Sequence, residues 1–228
     1  MNPGAVEAAI LERKTLKVLG SEENKAVLAP EAAARNNEIV LESLRISGYA
    51  PFHYARNSDE IAEPWRAYVL WHQECQSLAP KLFEWDPELQ PENKIPQFLY
   101  ACGALVLVTW LPEFYHLEDK KPGQLMIDEE HLAASSAMVQ NLLLLLTSHG
   151  MGTYWSSGGI LRKDNFLKNM GIPTEERLLA AVFVEYPETL DEPRFRKPGK
   201  HRDSRSEDSR WVKLWDEGSA GWVQGLSR

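Results

Sequence analysis

The chain has 228 residues, 43% hydrophobic and 25% charged, with 25 basic and 33 acidic side chains for a net charge of −8. That length fits one large domain or at most two small ones, with enough apolar content for a real core, and an acidic chain lacks the positive face that a general nucleic-acid binder needs. The charge is uneven: residues 194–213 carry eight basic side chains against three acidic ones, +5 in an otherwise −13 chain.

In chain order, residues 3–14 predict a short helix with Val6, Ile10 and Leu11 as its apolar stripe. A polar loop follows, then Pro30 at a first helical position opens a second helix over 31–47, ended by Gly48. Residues 65–71 (WRAYVLW) read as a strand. A helix continues to about Glu84, and a proline-rich loop spans 86–96. Residues 105–110 (LVLVTW) predict a buried strand, and 112–126 a polar loop. A long helix over 128–149, apolar on most sides, reads as the central packing element, capped by Gly150. A short extended stretch at 151–155, a short helix at 163–170 and a third strand at 178–185 complete the pattern, and residues 187–228 read as irregular, with three Trp and many charges. Helices first, then strands alternating with helices around one mixed sheet, predict a layered α+β or α/β domain.

The motifs of several enzyme classes are missing. No Gly-rich dinucleotide fingerprint follows a strand, no phosphate-binding Walker loop is present, and residues 156–159 match a nucleophile elbow only loosely. The six His show no metal-ligand spacing, so no metal site is expected. Residues 129–131 (Glu-Glu-His) offer a carboxylate–histidine pair, but an exposed helix N-terminus favours acidic residues anyway, and that structural reading is preferred. Cys75 and Cys102 read as buried, reduced thiols. Residues 1–6 show no signal-peptide pattern, and the apolar runs 101–111 and 142–146 are too short for a bilayer. The expectation is a cytoplasmic protein that touches no membrane. What remains is a binding protein, or an enzyme whose cofactor carries the chemistry.

Three segments point to the second option. Residues 8–19 (AAILERKTLKVL) place Arg13, Lys14 and Thr15 at a helix end, where two cations and a hydroxyl suit a phosphate. Residues 49–70 contain Ala50-Pro51-Phe52-His53 and Glu63-Pro64-Trp65 before a strand. Residues 133–159 contain Gln140-Asn141-Leu142 and then Gly150, Gly152, Trp155 and Gly158, with Met170-Gly171-Ile172-Pro173 downstream. In order and spacing these resemble the nitroreductase-like FMN-dependent oxidoreductase family, in its His-bearing Ala-Pro-x-His branch, over residues 5–187. Lys14 stands where that family has a second Arg, and Glu63 where it has Gln.

The resemblance implies an α+β fold: a mixed, mainly antiparallel sheet surrounded by helices, a long apolar central helix, and two intertwined chains with FMN at the dimer interface. It implies a nitroreductase-like domain over residues 1–190 and an irregular, basic, Trp-rich extension over 191–228 that packs on its own or the partner subunit. Arg13, Lys14 and Thr15 would hold the FMN phosphate. Tyr49 and His53 would reach FMN bound mainly by the other subunit. Trp155, Ser156, Ser157 and Gly158 would line the ring, where glycine lets backbone approach a flat ligand. Lys200 and Arg202 would return to the phosphate, which makes the basic strip a counter-charge for it.

The implied activity is transfer of hydride or electrons from NAD(P)H to an electron-poor small-molecule acceptor such as a nitroaromatic or quinone. The flavin N5 carries the chemistry and no catalytic side chain is required. The alternatives are a flavin-binding or storage protein without turnover, and a specialised reductive dehalogenase or dehydrogenase of the same fold.

Overall fold

Residues 104–110 (ALVLVTW) are apolar on both alternating sides, and in the computed structural model they form an inner strand of a four-stranded sheet. The structure describes residues 3–56, 60–114, 118, 121–190, 195–199, 204–206, 211–216, 218–219 and 221–224. The helices are α1 (Pro3–Glu12), α2 (Pro30–Ser47), α3 (His72–Trp85), α4 (Lys94–Ala101), α5 (Pro122–Ser148), α6 (Asp164–Asn169) and α7 (Pro187–Leu190). The strands are β1 (Leu16–Leu19), β2 (Trp65–Trp71), β3 (Ala104–Trp110), β4 (Gly152–Ser156), β5 (Arg177–Glu185), β6 (Phe195–Pro198), β7 (Lys213–Asp216) and β8 (Gly221–Gln224). The chain forms two units, residues 1–197 and 198–228.

The central sheet has the order β2-β3-β5-β4, and its neighbours pair antiparallel. At its β4 edge a parallel bridge links Thr153 to Thr15, just before β1. Strand alternation sends Tyr68, Leu70, Leu105, Leu107, Tyr154 and Phe183 to one face, where they pack with residues of α3, α4 and α6. Trp65, Val106, Val108, Val182, Val184 and Trp155 take the other face, against α2 and α5. Burial on both faces explains the unbroken apolar run of β3. The fold is therefore α+β, a sheet between two helical layers, with α5 as the long central helix. At 27 residues α5 runs about 40 Å. Each fully buried leucine along it, such as Leu142 and Leu146, contributes about 1.5–3 kcal/mol by leaving water.

Two polar details sit in this core. The buried Glu176 carboxylate accepts hydrogen bonds from the Tyr68 hydroxyl (2.7 Å) and from Thr109. Burial, together with that carboxylate, pushes the Tyr68 phenol well above its ordinary pKa. Cys75 and Cys102 are free thiols with no exposed surface. Burial and the adjacent Cys75 raise the Cys102 thiol far above the ordinary range, so little thiolate forms. Native protein is expected to leave both thiols unmodified by a thiol-specific disulfide reagent at pH 8, and unfolded protein to release two equivalents; prompt native labelling would contradict the burial.

The structure departs from the sequence-based expectations at four places. The proline-rich segment read as a loop contains α4: Pro96 lies in the helix's first turn, where its missing N–H removes no helical bond, and the Asn93 side chain caps Ile95 N–H at 2.9 Å. The first helix stops at Glu12, and the following residues become β1, whose partner β6 is remote in sequence. Helix α5 begins at Pro122, six residues before the expected start, with Gln124 Oε1 accepting Lys121 N–H (2.9 Å). The C-terminal segment expected to be irregular contains β6 and a hairpin.

That hairpin belongs to the second unit. β7 and β8 pair antiparallel, with Leu214 opposite Val223 and Trp215 opposite Trp222. The Asp216 carboxylate accepts Ser219 N–H (2.8 Å) in the turn, and this bonding lowers its pKa below the usual carboxylate value. Trp211 and Trp215 are exposed.

Candidate functional site: a groove along the central helix

The end of α1 delivers Arg13, whose N–H bonds Ala9 O at 3.0 Å. The chain then turns extended, and the Thr15–Thr153 bridge lays it beside β4. Extended geometry sends alternate side chains to opposite sides. Arg13 and Thr15 therefore enter a cavity of about 400 Å³, while Lys14 is exposed and stands outside its lining. Trp155, on the α5 side of β4, forms a wall of this cavity, and Ser157, Gln140, Leu143 and Leu179 complete it.

Ser156 points to the opposite face of the sheet. It is buried, and its Oγ accepts Gly158 N–H at 3.1 Å, which folds the chain back just after β4. Ser157 O in turn accepts the Arg162 guanidinium (3.2 Å). Gly158 is buried with φ +104°, in the region that favours glycine. A Cβ there would lie 2.6 Å from Leu178 Cδ2.

His53 lines a separate cavity of about 320 Å³ with Pro51, Phe52, Glu130, Ala133, Ala134 and Ala137. Its ring meets Tyr54 edge-on, with centroids 4.7 Å apart. The two cavities are related through α5: Glu130, Ala133 and Ala137 floor the His53 cavity, Gln140 lines the Arg13 cavity, and the four recur at helical spacing, so both cavities lie along one face of the helix. Tyr49 is 79% exposed and lines neither cavity. It stands instead beside an apolar hollow of about 440 Å³ between α1, α2 and α5, walled by Val6, Ile46, Leu144 and Leu145. Lys200 and Arg202 lie outside the described residues.

The structure thus brings Arg13, Thr15, Trp155 and Ser157 together, and places Lys14, Tyr49, His53 and Ser156 elsewhere. It adds Gln140, Leu143 and Leu179. The sequence signal for Gln140 was its place in the Gln140-Asn141-Leu142 motif of the third segment. His131, read from sequence as part of an exposed helix start, is fully buried because α5 begins earlier; its Nε2 lies 3.2 Å from Tyr54 O. Among the described residues, no group of three or more His, Cys, Asp or Glu could hold a metal ion, and no helix is long and apolar enough to cross a membrane.

The fold is a sheet between helical layers, with one cavity that gathers a cation, a hydroxyl and an indole and a second, alanine-floored cavity along the same face of α5. The Nitroreductase family model matches residues 20–184, and the chain belongs to that family. It is 27% identical over 168 residues to YfhC of Bacillus subtilis (strain 168), named provisionally as an NAD(P)H nitroreductase; the match covers 72% of this chain and 80% of that protein. Among solved structures, a nitroreductase-like family protein from Bacillus cereus superposes with a TM-score of 0.64 at 18% identity, covering 92% of this chain and 95% of that one. A protein from Desulfovibrio desulfuricans, described provisionally as a nitroreductase and solved in complex with FMN, superposes with a TM-score of 0.50 at 20% identity, over 82% and 87% of the two chains.

Proposed function

We propose that the chain is an FMN-dependent oxidoreductase that passes hydride or electrons from NAD(P)H to an electron-poor acceptor such as a nitroaromatic or quinone. The observation that carries this reading is the convergence of Arg13, Thr15, Trp155 and Ser157, from two segments far apart in sequence, in one cavity of about 400 Å³ along α5. Family membership and the FMN complex of the Desulfovibrio desulfuricans protein support it.

The residues fit the cofactor. A guanidinium and a hydroxyl suit a phosphate, an indole and an apolar wall suit a flat ring, and Gln140 offers both a donor and an acceptor to a ring edge. The positive-φ Gly158 lets the backbone after Ser157 turn tightly at the same place. FMN, when bound, supplies the hydride chemistry. Arg13 and Thr15 would anchor its phosphate, Trp155 and Leu143 would shield one side of the site from water, and the alanine floor of the groove would leave room for a planar acceptor. Lys200 and Arg202 would add counter-charge.

The reading includes a homodimer. Val6, Ile10, Leu41, Ile46 and Tyr49 expose apolar surface along α1 and α2, and a second copy seated there would bring another Tyr49 and His53 toward the Arg13 cavity. The basic C-terminal extension would pack on its own or the partner subunit, and the protein would work in the cytoplasm. Sedimentation is expected to give twice the 25.9 kDa chain mass, and a monomer would contradict this arrangement. The activity is tested by following NADH and NADPH oxidation with and without a quinone. Acceptor-dependent oxidation is expected; bound flavin that neither nucleotide reduces would favour storage instead.

A further inference from the structure

We propose that Asp128 and His131 are positioning residues: a polar clasp on the buried side of α5 that holds the loop bearing His53 over the alanine floor of the groove. The importance for acceptor binding rests on the oxidoreductase reading above; the clasp itself does not.

Asp128 and His131 are one turn apart on α5, and both are buried, in a helix whose other buried side chains are apolar apart from Ser135. Each binds loop backbone. Asp128 Oδ1 accepts the amides of Glu113 (2.8 Å) and Phe114 (3.0 Å), in the loop after β3. With its proton on Nε2, His131 donates to Tyr54 O at 3.2 Å, immediately after His53. A turn further on, buried Ser135 lies with its Oγ 3.4 Å from Pro64 O, at the far end of the same loop. The two loops are also tied to each other, because the Arg56 guanidinium donates to Leu111 O (2.8 Å) and Pro112 O (3.3 Å). Both loops are thus indexed to α5 through main-chain groups, whatever their side chains.

The groove floor lies on the same turns. Glu130, Ala133 and Ala137 face the cavity whose other wall is Pro51, Phe52 and His53. A loop held at Tyr54 by His131 sets the width of that cavity. The pair is a poor choice for stability alone. Asp128 Oδ2 and His131 Nδ1 have no hydrogen-bond partner among the described residues, and apolar residues at these places would avoid burying them. What the polar pair supplies is a fixed register for the two loops.

The test compares wild type with His131→Leu, which removes the donor, and His131→Gln, which keeps an N–H of similar reach. Arg56→Ala is a second disruptive variant outside the core, in case His131→Leu does not fold. Hydrogen exchange is read at the Arg56 amide, which bonds Ala62 O at 3.0 Å, and at Glu113 and Phe114. Exchange at Arg56 is expected to rise about tenfold in His131→Leu and in Arg56→Ala, and to return toward wild type in His131→Gln. With p-benzoquinone as acceptor, KM is expected to rise about tenfold while kcat stays within about twofold, again restored by Gln. Unchanged exchange in both disruptive variants overturns the clasp. Faster exchange with an unchanged KM, or a Gln variant no better than Leu, overturns the positioning role. If wild type turns over no acceptor, the oxidoreductase reading fails, and the exchange experiment still decides the clasp.

Discussion

Arg13→Ala is expected to weaken FMN binding by about 1.5–3 kcal/mol, the typical worth of a hydrogen bond to a charged group, or about 10- to 150-fold in Kd. Arg13 is the cation that the structure places in the cavity with Trp155, and it is half-buried, so its charge is less screened than that of a surface residue. Lys14→Ala is the matched control. Its side chain is exposed and outside the cavity lining, so its Kd is expected to change by no more than about twofold, the scale of a screened surface charge. Quenching of flavin fluorescence on titration reads both. Equal losses at the two positions would mean that the sequence-based triplet acts as a unit and that the alternation of residues 13–15 does not select its members.

Gly158→Ala is expected to cost about 2–4 kcal/mol of stability. A positive φ at a non-glycine residue carries about 1–3 kcal/mol of strain, and the new Cβ would stand 2.6 Å from Leu178 Cδ2 and 3.0 Å from Arg162 Cγ, an overpacking of similar cost. For a chain of this size the corresponding fall in Tm is about 5–15 °C. Gly123→Ala is the contrast: this glycine is in the first turn of α5 with nothing within 4 Å of a built Cβ, so alanine there is expected to be neutral or to stabilise by up to about 1 kcal/mol. Thermal unfolding of the two variants beside wild type checks both. The turn at Gly158 also sets where Ser157 stands, so Gly158→Ala is expected to weaken flavin retention as well.

The legible parts of the fold are those fixed by local pattern. The unbroken apolar run of β3 reads as a strand buried on both faces, and it is one. The long apolar stretch ending in Gly150 reads as a central helix with a left-handed C-cap residue, and Gly150 has φ +74°. The hidden parts depend on partners remote in sequence or on the exact start of an element. β1 is four residues long and exists through pairing with β6. The start of α5 hung on Pro122 and Gln124, inside a segment polar enough to pass for a loop; placing it six residues late turned a buried His131 into an exposed one. The site was half legible for the same reason. The family resemblance pointed to Arg13, Thr15 and Trp155, which share one cavity. Which side of the backbone each neighbour takes is decided by sheet register, so Ser156 turns away from the cavity while Ser157 remains in it, and Lys14 faces solvent.

The central claim is that this chain holds a working flavin in the groove of α5, and the absorption spectrum of the purified protein tests it most directly. The expected result is a flavin spectrum corresponding to one FMN per chain, either as isolated or after incubation with FMN and removal of the excess, which bleaches when NADH or NADPH is added without oxygen. A protein that stays colourless after that incubation would contradict the account.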